Sequence, residues 1–188
     1  FVVWALSAVI ILIVGVLILR PPPEIWSHVA NPIFVFPALV MLCISLVCTL
    51  SAFVLSVPDE QAKRFDKIPI AAVIFLLGLM IYMSVFSNLD DVRPDLICVF
   101  RITGLALAPG ALLFYMLKRA APMRSWLIGL LAALGSLAFA EIGLQFICRK
   151  SILWTHVLVW HFMPVCILAL TGIAVGHLMF KWTTGLKS

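Results

Sequence analysis

Charge is scarce in this chain. Only 11% of its 188 residues are Asp, Glu, Lys or Arg, against roughly a quarter in a soluble domain whose surface must be wetted. No stretch is polar enough for long enough to fold as a separate soluble domain. Lys and Arg outnumber Asp and Glu by 13 to 8, but the excess is scattered among short connectors. There is no basic face or run, so direct nucleic-acid binding is not expected. The five cysteines include no Cys-x-x-Cys pair and no zinc-finger spacing, which argues against a structural metal framework. A nucleophile elbow, a phosphate-cradling glycine loop and a His-Glu-x-x-His helix are all missing. The chain is therefore not expected to be an enzyme.

What is there is apolar: 64% of the residues are hydrophobic and the mean hydropathy is +1.21. A spanning helix needs about 20 mostly apolar residues. Six stretches qualify, at about 1–19, 32–57, 68–86, 96–117, 126–148 and 153–180. The fold expected over 1–188 is a single all-α bundle of six transmembrane helices. The first run begins at Phe1, not at Met, and ends in Arg20 rather than in a small-residue cleavage site. It reads as a span and not a signal peptide. The connectors hold the turn formers and nearly all the charge: Arg20 to Glu24, Pro58 to Glu60, Ser87 to Asp91, Lys118 to Pro122, and Arg149 to Ser151. Such short connectors make successive helices antiparallel neighbours.

Orientation follows from Lys and Arg. One side carries Lys63, Arg64, Lys67, Lys118, Arg119, Arg124, Lys181 and Lys187; the other carries Arg20, Arg93, Arg149 and Lys150. Eight against four places both termini in the cytoplasm. Gly172-x-x-x-Gly176 in the last helix, and Gly129 with Gly135 in the fifth, mark places where backbones can approach closely. The tryptophans suit an interfacial belt.

An ionisable side chain inside a membrane costs on the order of 3 kcal/mol even on a lenient scale, so each one needs a reason. Arg101 lies about one turn into the fourth helix, and Glu141 about two turns before the outer end of the fifth. Those depths coincide, and a mutual ion pair is the simplest account. Such a pair either fixes helix register or tunes a site at the outer face. Glu141, Gln145 and Cys148 form one helical stripe, and Cys98 and Arg101 share a face. Cys98 opens the fourth helix and Cys148 closes the fifth, so both thiols lie at the outer boundary at similar height. They can bridge if their Cα atoms come within about 7 Å, hold a soft metal such as Cu(I) or Zn as thiolates, or be two unrelated small residues. Cys43, Cys48 and Cys166 sit in apolar runs and read as small hydrophobes.

The sixth helix carries His156 and His161 into the same outer half. Haem ligation, hydrogen bonding to neighbouring helices, and membership of a sensing or metal cluster are the three readings. In an α-helix a spacing of five places the rings about 140° apart, which opposes a shared ligand face. His28, in a loop, and His177, near the cytoplasmic end, are poorly placed as further haem ligands. A transporter built from a repeated half is not supported, because Pro109-Gly110 and Pro164 do not fall at matching positions.

The ordered landmarks are more telling together. Arg20-Pro21 follows the first helix, and Asn31-Pro32-Ile33-Phe34 opens the second. The fourth reads Asp95-Leu96-Ile97-Cys98, then Leu107-Ala108-Pro109. The fifth ends in Cys148, and the sixth carries Trp160-His161, then Gly172, Gly176 and Trp182. Over essentially the whole chain this pattern resembles the NrsF-type membrane anti-sigma factors, which hold an extracytoplasmic-function sigma factor at the bacterial inner membrane. The resemblance implies six spans and a multi-pass protein. It implies a short cytoplasmic N-terminal segment that grips the sigma factor, expected to lie before Phe1. It also implies two cysteines, here Cys98 and Cys148, that perceive metal or oxidative stress; Arg101, Glu141, Gln145, His156 and His161, read above into the same outer halves, are the polar groups expected to support them. No resident cofactor is implied beyond a transient metal ion at the cysteine pair; the partners are the sigma factor and the lipid bilayer. Where the family leads one to expect proline after the second cysteine, this chain has Arg149. The rival readings are a membrane redox protein using haem or quinone at His156 and His161, and a small transporter with an Arg101–Glu141 site.

Overall fold

The computed structural model describes residues 1–29, 31–57, 95–119, 124–151 and 153–180, with Lys67, Ile70, Ala71, Ile74 and Gly78 between them. The elements in chain order are α1 (Val2–Leu19), the short α2 (Ile25–His28), α3 (Pro32–Ser56), α4 (Leu96–Lys118) and α5 (Ser125–Ile147). A last, continuous rod follows, made of α6 (Trp154–His156), a π-helical turn (Val157–Phe162) and α7 (Met163–Phe180). Five helical segments are long and apolar enough to cross a bilayer, and the helices that contain them end within about two residues of the expected bounds, the last counted as the whole rod Trp154–Phe180. Most of the expected span at 68–86 falls outside the described residues; Ile70, Ala71, Ile74 and Gly78 within it are helical.

The helices form where they do because little interrupts them. Connector prolines and charges end each run, and a membrane leaves the backbone no partner but itself. Hydroxyls inside the spans bond back to their own helix: Thr49 to the Ser45 carbonyl at 2.6 Å, Thr103 to Val99 at 2.8 Å and Ser136 to Ala132 at 2.8 Å. The apolar surface points outward as well as inward. Leu6, Ile10 and Leu17 of α1 are all more than 60% exposed. In water such a stripe would demand a partner; in a bilayer it is the lipid-facing side.

α5 is the axis of the bundle. Of its span 83% is buried, against 11% for α1, and it lies against α7, α3, α4 and α1. Its glycines allow this. A Cβ on Gly129 would overlap the Gly172 carbonyl and reach within 2.6 Å of Gly176 Cα, and a Cβ on Gly176 would meet Ser125 O at 2.5 Å. The Gly172-x-x-x-Gly176 pair therefore seats α7 directly on the α5 backbone at Gly129. Gly135 does the same for α3, where an added Cβ would lie 2.6 Å from Thr49 Oγ1. Trp4 departs from the interfacial belt. It is buried in the core, and its Nε1–H donates to the Pro109 carbonyl of α4 at 2.9 Å, which ties α1 to α4.

Candidate functional site

Cys98 sits in the first turn of α4, and its backbone N–H donates to the Asp95 carbonyl at 3.1 Å. Cys148 caps α5 in extended conformation, its N–H still held by Leu144 O at 2.9 Å. The chain then reverses at once: Ser151 N–H reaches Cys148 O at 3.3 Å and Leu153 N–H reaches Lys150 O at 2.9 Å. So tight a turn brings α6 back beside the end of α5 and delivers His156 to the two thiols. The sulfurs lie 3.8 Å apart, and His156 Nε2 is 3.3 Å from Cys148 Sγ and 3.7 Å from Cys98 Sγ. All three side chains are buried, and both cysteines are free thiols.

His161 joins them through a local change of helix geometry. The backbone over Val157–Phe162 is π-helical, and Met163 N–H donates to Leu158 O, five residues back. In this wider turn residues five apart stand one turn apart on the same face. The rings of His156 and His161 accordingly meet edge to face, centroids 5.2 Å apart. This corrects the 140° separation expected from an unbroken α-helix. Pro164 gives the physical reason: it has no N–H to donate, and its ring crowds the carbonyl four residues back in a regular helix. A ring nitrogen from each histidine and both sulfurs then lie within 4.8 Å of one another, all four residues buried. These four can hold a metal ion.

Glu141 is committed elsewhere than expected. Its Oε1 accepts from His161 Nδ1 at 2.7 Å, both side chains fully buried. The expected Arg101–Glu141 ion pair is not among the described interactions. Equal depth does not fix the direction in which a side chain leaves its helix. A signal for the true partner was present, since Glu141 and His161 stand ten residues either side of Ser151 in a hairpin with almost no loop. His161 Nε2 has no hydrogen-bond partner, and neither has His156 Nδ1 or Glu141 Oε2.

Gln145 stays on the Glu141 stripe but turns to α3. In the amide orientation that satisfies both ends, it donates to Phe34 O at 3.0 Å and accepts from Ala38 N–H at 3.3 Å. Phe34 O and Ala38 N–H flank Pro37, so the amide bonds α3 at the place where a proline interrupts the helical ladder. Arg101 instead lines a cavity of about 430 Å³ that reaches both thiols, together with Arg20, Arg149, Lys150 and Asp95. Arg20 also has the only positive φ of a non-glycine among the described residues, 55°, where the chain leaves α1 for three prolines.

Residues 1–182 match the NrsF family, described as negative regulator of sigma F. The chain belongs to this family. No curated protein and no solved structure matches it. Membership makes this NrsF protein a negative regulator of a sigma factor, and its long apolar helices suit a membrane protein. Arg149, where proline was expected after Cys148, adds a cation to the lining of the cavity.

Proposed function

We propose that this NrsF protein is an anti-sigma factor of the bacterial inner membrane. It holds an extracytoplasmic-function sigma factor through a cytoplasmic segment on the N-terminal side of Phe1. It releases that factor when metal or oxidative stress reaches Cys98 and Cys148. Both termini face the cytoplasm, as the Lys and Arg count supports, and the thiols then face the outer compartment. The observation that carries the reading is the meeting of the two thiols, 3.8 Å apart and buried, at one end of two helices joined to the rest of the bundle. A modification there changes how α4 and α5 pack, which biases a two-state bundle and loosens the cytoplasmic grip.

The haem alternative fits the geometry poorly. Axial imidazoles must lie across a macrocycle, whereas these two rings touch each other inside the thiol cluster. The transporter alternative loses its Arg101–Glu141 site to the Glu141–His161 pair. The test is a reporter of sigma-dependent transcription in cells carrying Cys98→Ser or Cys148→Ser. Expected is normal membrane insertion with lost or altered induction under stress; wild-type induction in both variants would overturn the thiol mechanism.

A further inference from the structure

We infer that Cys98 and Cys148 are half of a four-ligand site, completed by His156 and His161, for a tetrahedral d10 divalent cation of the zinc class. The inference deepens the proposed function and rests on its reading of Cys98 and Cys148 as the perceiving thiols. Its warrant is metric. With metal–sulfur bonds of about 2.3 Å and metal–nitrogen bonds of about 2.0–2.1 Å, a tetrahedral centre spaces its sulfurs about 3.8 Å apart and sulfur from nitrogen about 3.6 Å. The sulfurs here are 3.8 Å apart, and His156 Nε2 stands 3.3 and 3.7 Å from them. The fourth ligand is His161, whose buried Nε2 has no hydrogen-bond partner while Nδ1 is bound to Glu141.

The surroundings agree with a built site. A metal-binding histidine commonly donates its other ring N–H to a carboxylate, which fixes the ring and its tautomer; Glu141 does this for His161. Two thiolates also balance a divalent charge, which matters where each ligand residue is only 0–4% exposed. Binding is then a proton-for-metal exchange: the cation forms two metal–sulfur and two metal–nitrogen bonds, and two thiol protons leave to water. No oxidant takes part. Glu141 is a positioning residue, acting through His161.

The full-length protein, purified in detergent under reducing conditions, is titrated with cobalt(II) and then with zinc(II). One equivalent of cobalt is expected to give the intense visible bands of a tetrahedral centre with thiolate charge transfer, displaced by one equivalent of zinc. X-ray absorption of the unmodified zinc-loaded protein should show two sulfurs and two nitrogens. His156→Ala and His161→Ala should each weaken zinc binding about tenfold or more, and Glu141→Gln about 10- to 100-fold with the same ligand shell. A six-coordinate cobalt spectrum, a shell without the two nitrogens, or histidine variants that bind as wild type would overturn the inference. Should a variant fail to insert, the absorption shell of the unmodified protein decides. If the shell lacks nitrogen while the cysteine variants still lose induction, this inference fails and the proposed function stands. A Cys2His2 shell with wild-type induction in both cysteine variants reverses that outcome.

Discussion

His156 and His161 stand five residues apart in sequence, yet their rings meet at 5.2 Å and 74°. The π-helical turn between them is wider than an α-turn, and that widening is what lets a spacing of five place both imidazoles beside the thiols. The local ladder is wide just before Pro164, so helix register and ligand geometry are one property here. Replacing Pro164 by Ala restores the missing N–H and lets the turn return to α geometry with the spacing of five intact, which carries the two rings toward about 140° apart. The helix stays apolar and inserts. Its zinc affinity should fall about tenfold or more, measured by competition against cobalt; retained affinity would show that the π-turn is not what assembles the site.

The Glu141–His161 contact predicts a second outcome. Both side chains are fully buried and bonded to each other at 2.7 Å. Removing one partner leaves a buried polar group without compensation, which costs about 3–5 kcal/mol, whereas removing both can be nearly neutral. Glu141→Ala and His161→Ala should each lower the detergent-solubilised unfolding midpoint strongly. The double variant should recover much of that loss, and strictly additive losses would mean the two groups are not coupled.

Position along each helix axis was legible in the sequence, and direction around each helix was not. Hydropathy marks where a span starts and stops, so Cys98 and Cys148 could be set at one boundary from connector length alone. The same reasoning set Arg101 level with Glu141 and paired them wrongly, because depth carries no azimuth. The histidine spacing misled for a related reason: the angle assumed an unbroken 3.6-residue turn, and the π register follows from Pro164 and neighbouring packing. Trp4 was assigned to an interface by residue type. Its burial against Pro109 depends on how α1 leans on α4, which no local pattern encodes.

Gly129 offers a packing test remote from the thiols. A methyl group there would overlap the Gly172 carbonyl, and backbone cannot yield as a side-chain tip can. Gly129→Ala should therefore destabilise the bundle by about 1–3 kcal/mol. Gly104 is the comparison, since nothing lies within 4 Å of a Cβ built on it. Gly104→Ala should be neutral or slightly stabilising. Equal unfolding midpoints for the two variants would contradict the seating of α7 on α5.

Arg101 makes its prediction through the cavity it lines. Arg20, Arg101, Arg149 and Lys150 surround the approach to Cys98 and Cys148, and Asp95 is the single acid among the lining residues. A cleft lined by one sign of charge repels ions of that sign and slows their arrival. For a divalent cation the rim is therefore a barrier, and it sets how much metal must be present before the thiols are reached at an appreciable rate. Replacing Arg101 by Gln removes one cation from the wall without touching a proposed ligand. Stopped-flow mixing of zinc with the Arg101→Gln protein should show association several-fold faster than wild type at low ionic strength. The difference should shrink as salt screens the rim. Dissociation should change less, because the four ligands are intact. An association rate equal to wild type at low salt would mean that metal reaches the sulfurs by another path.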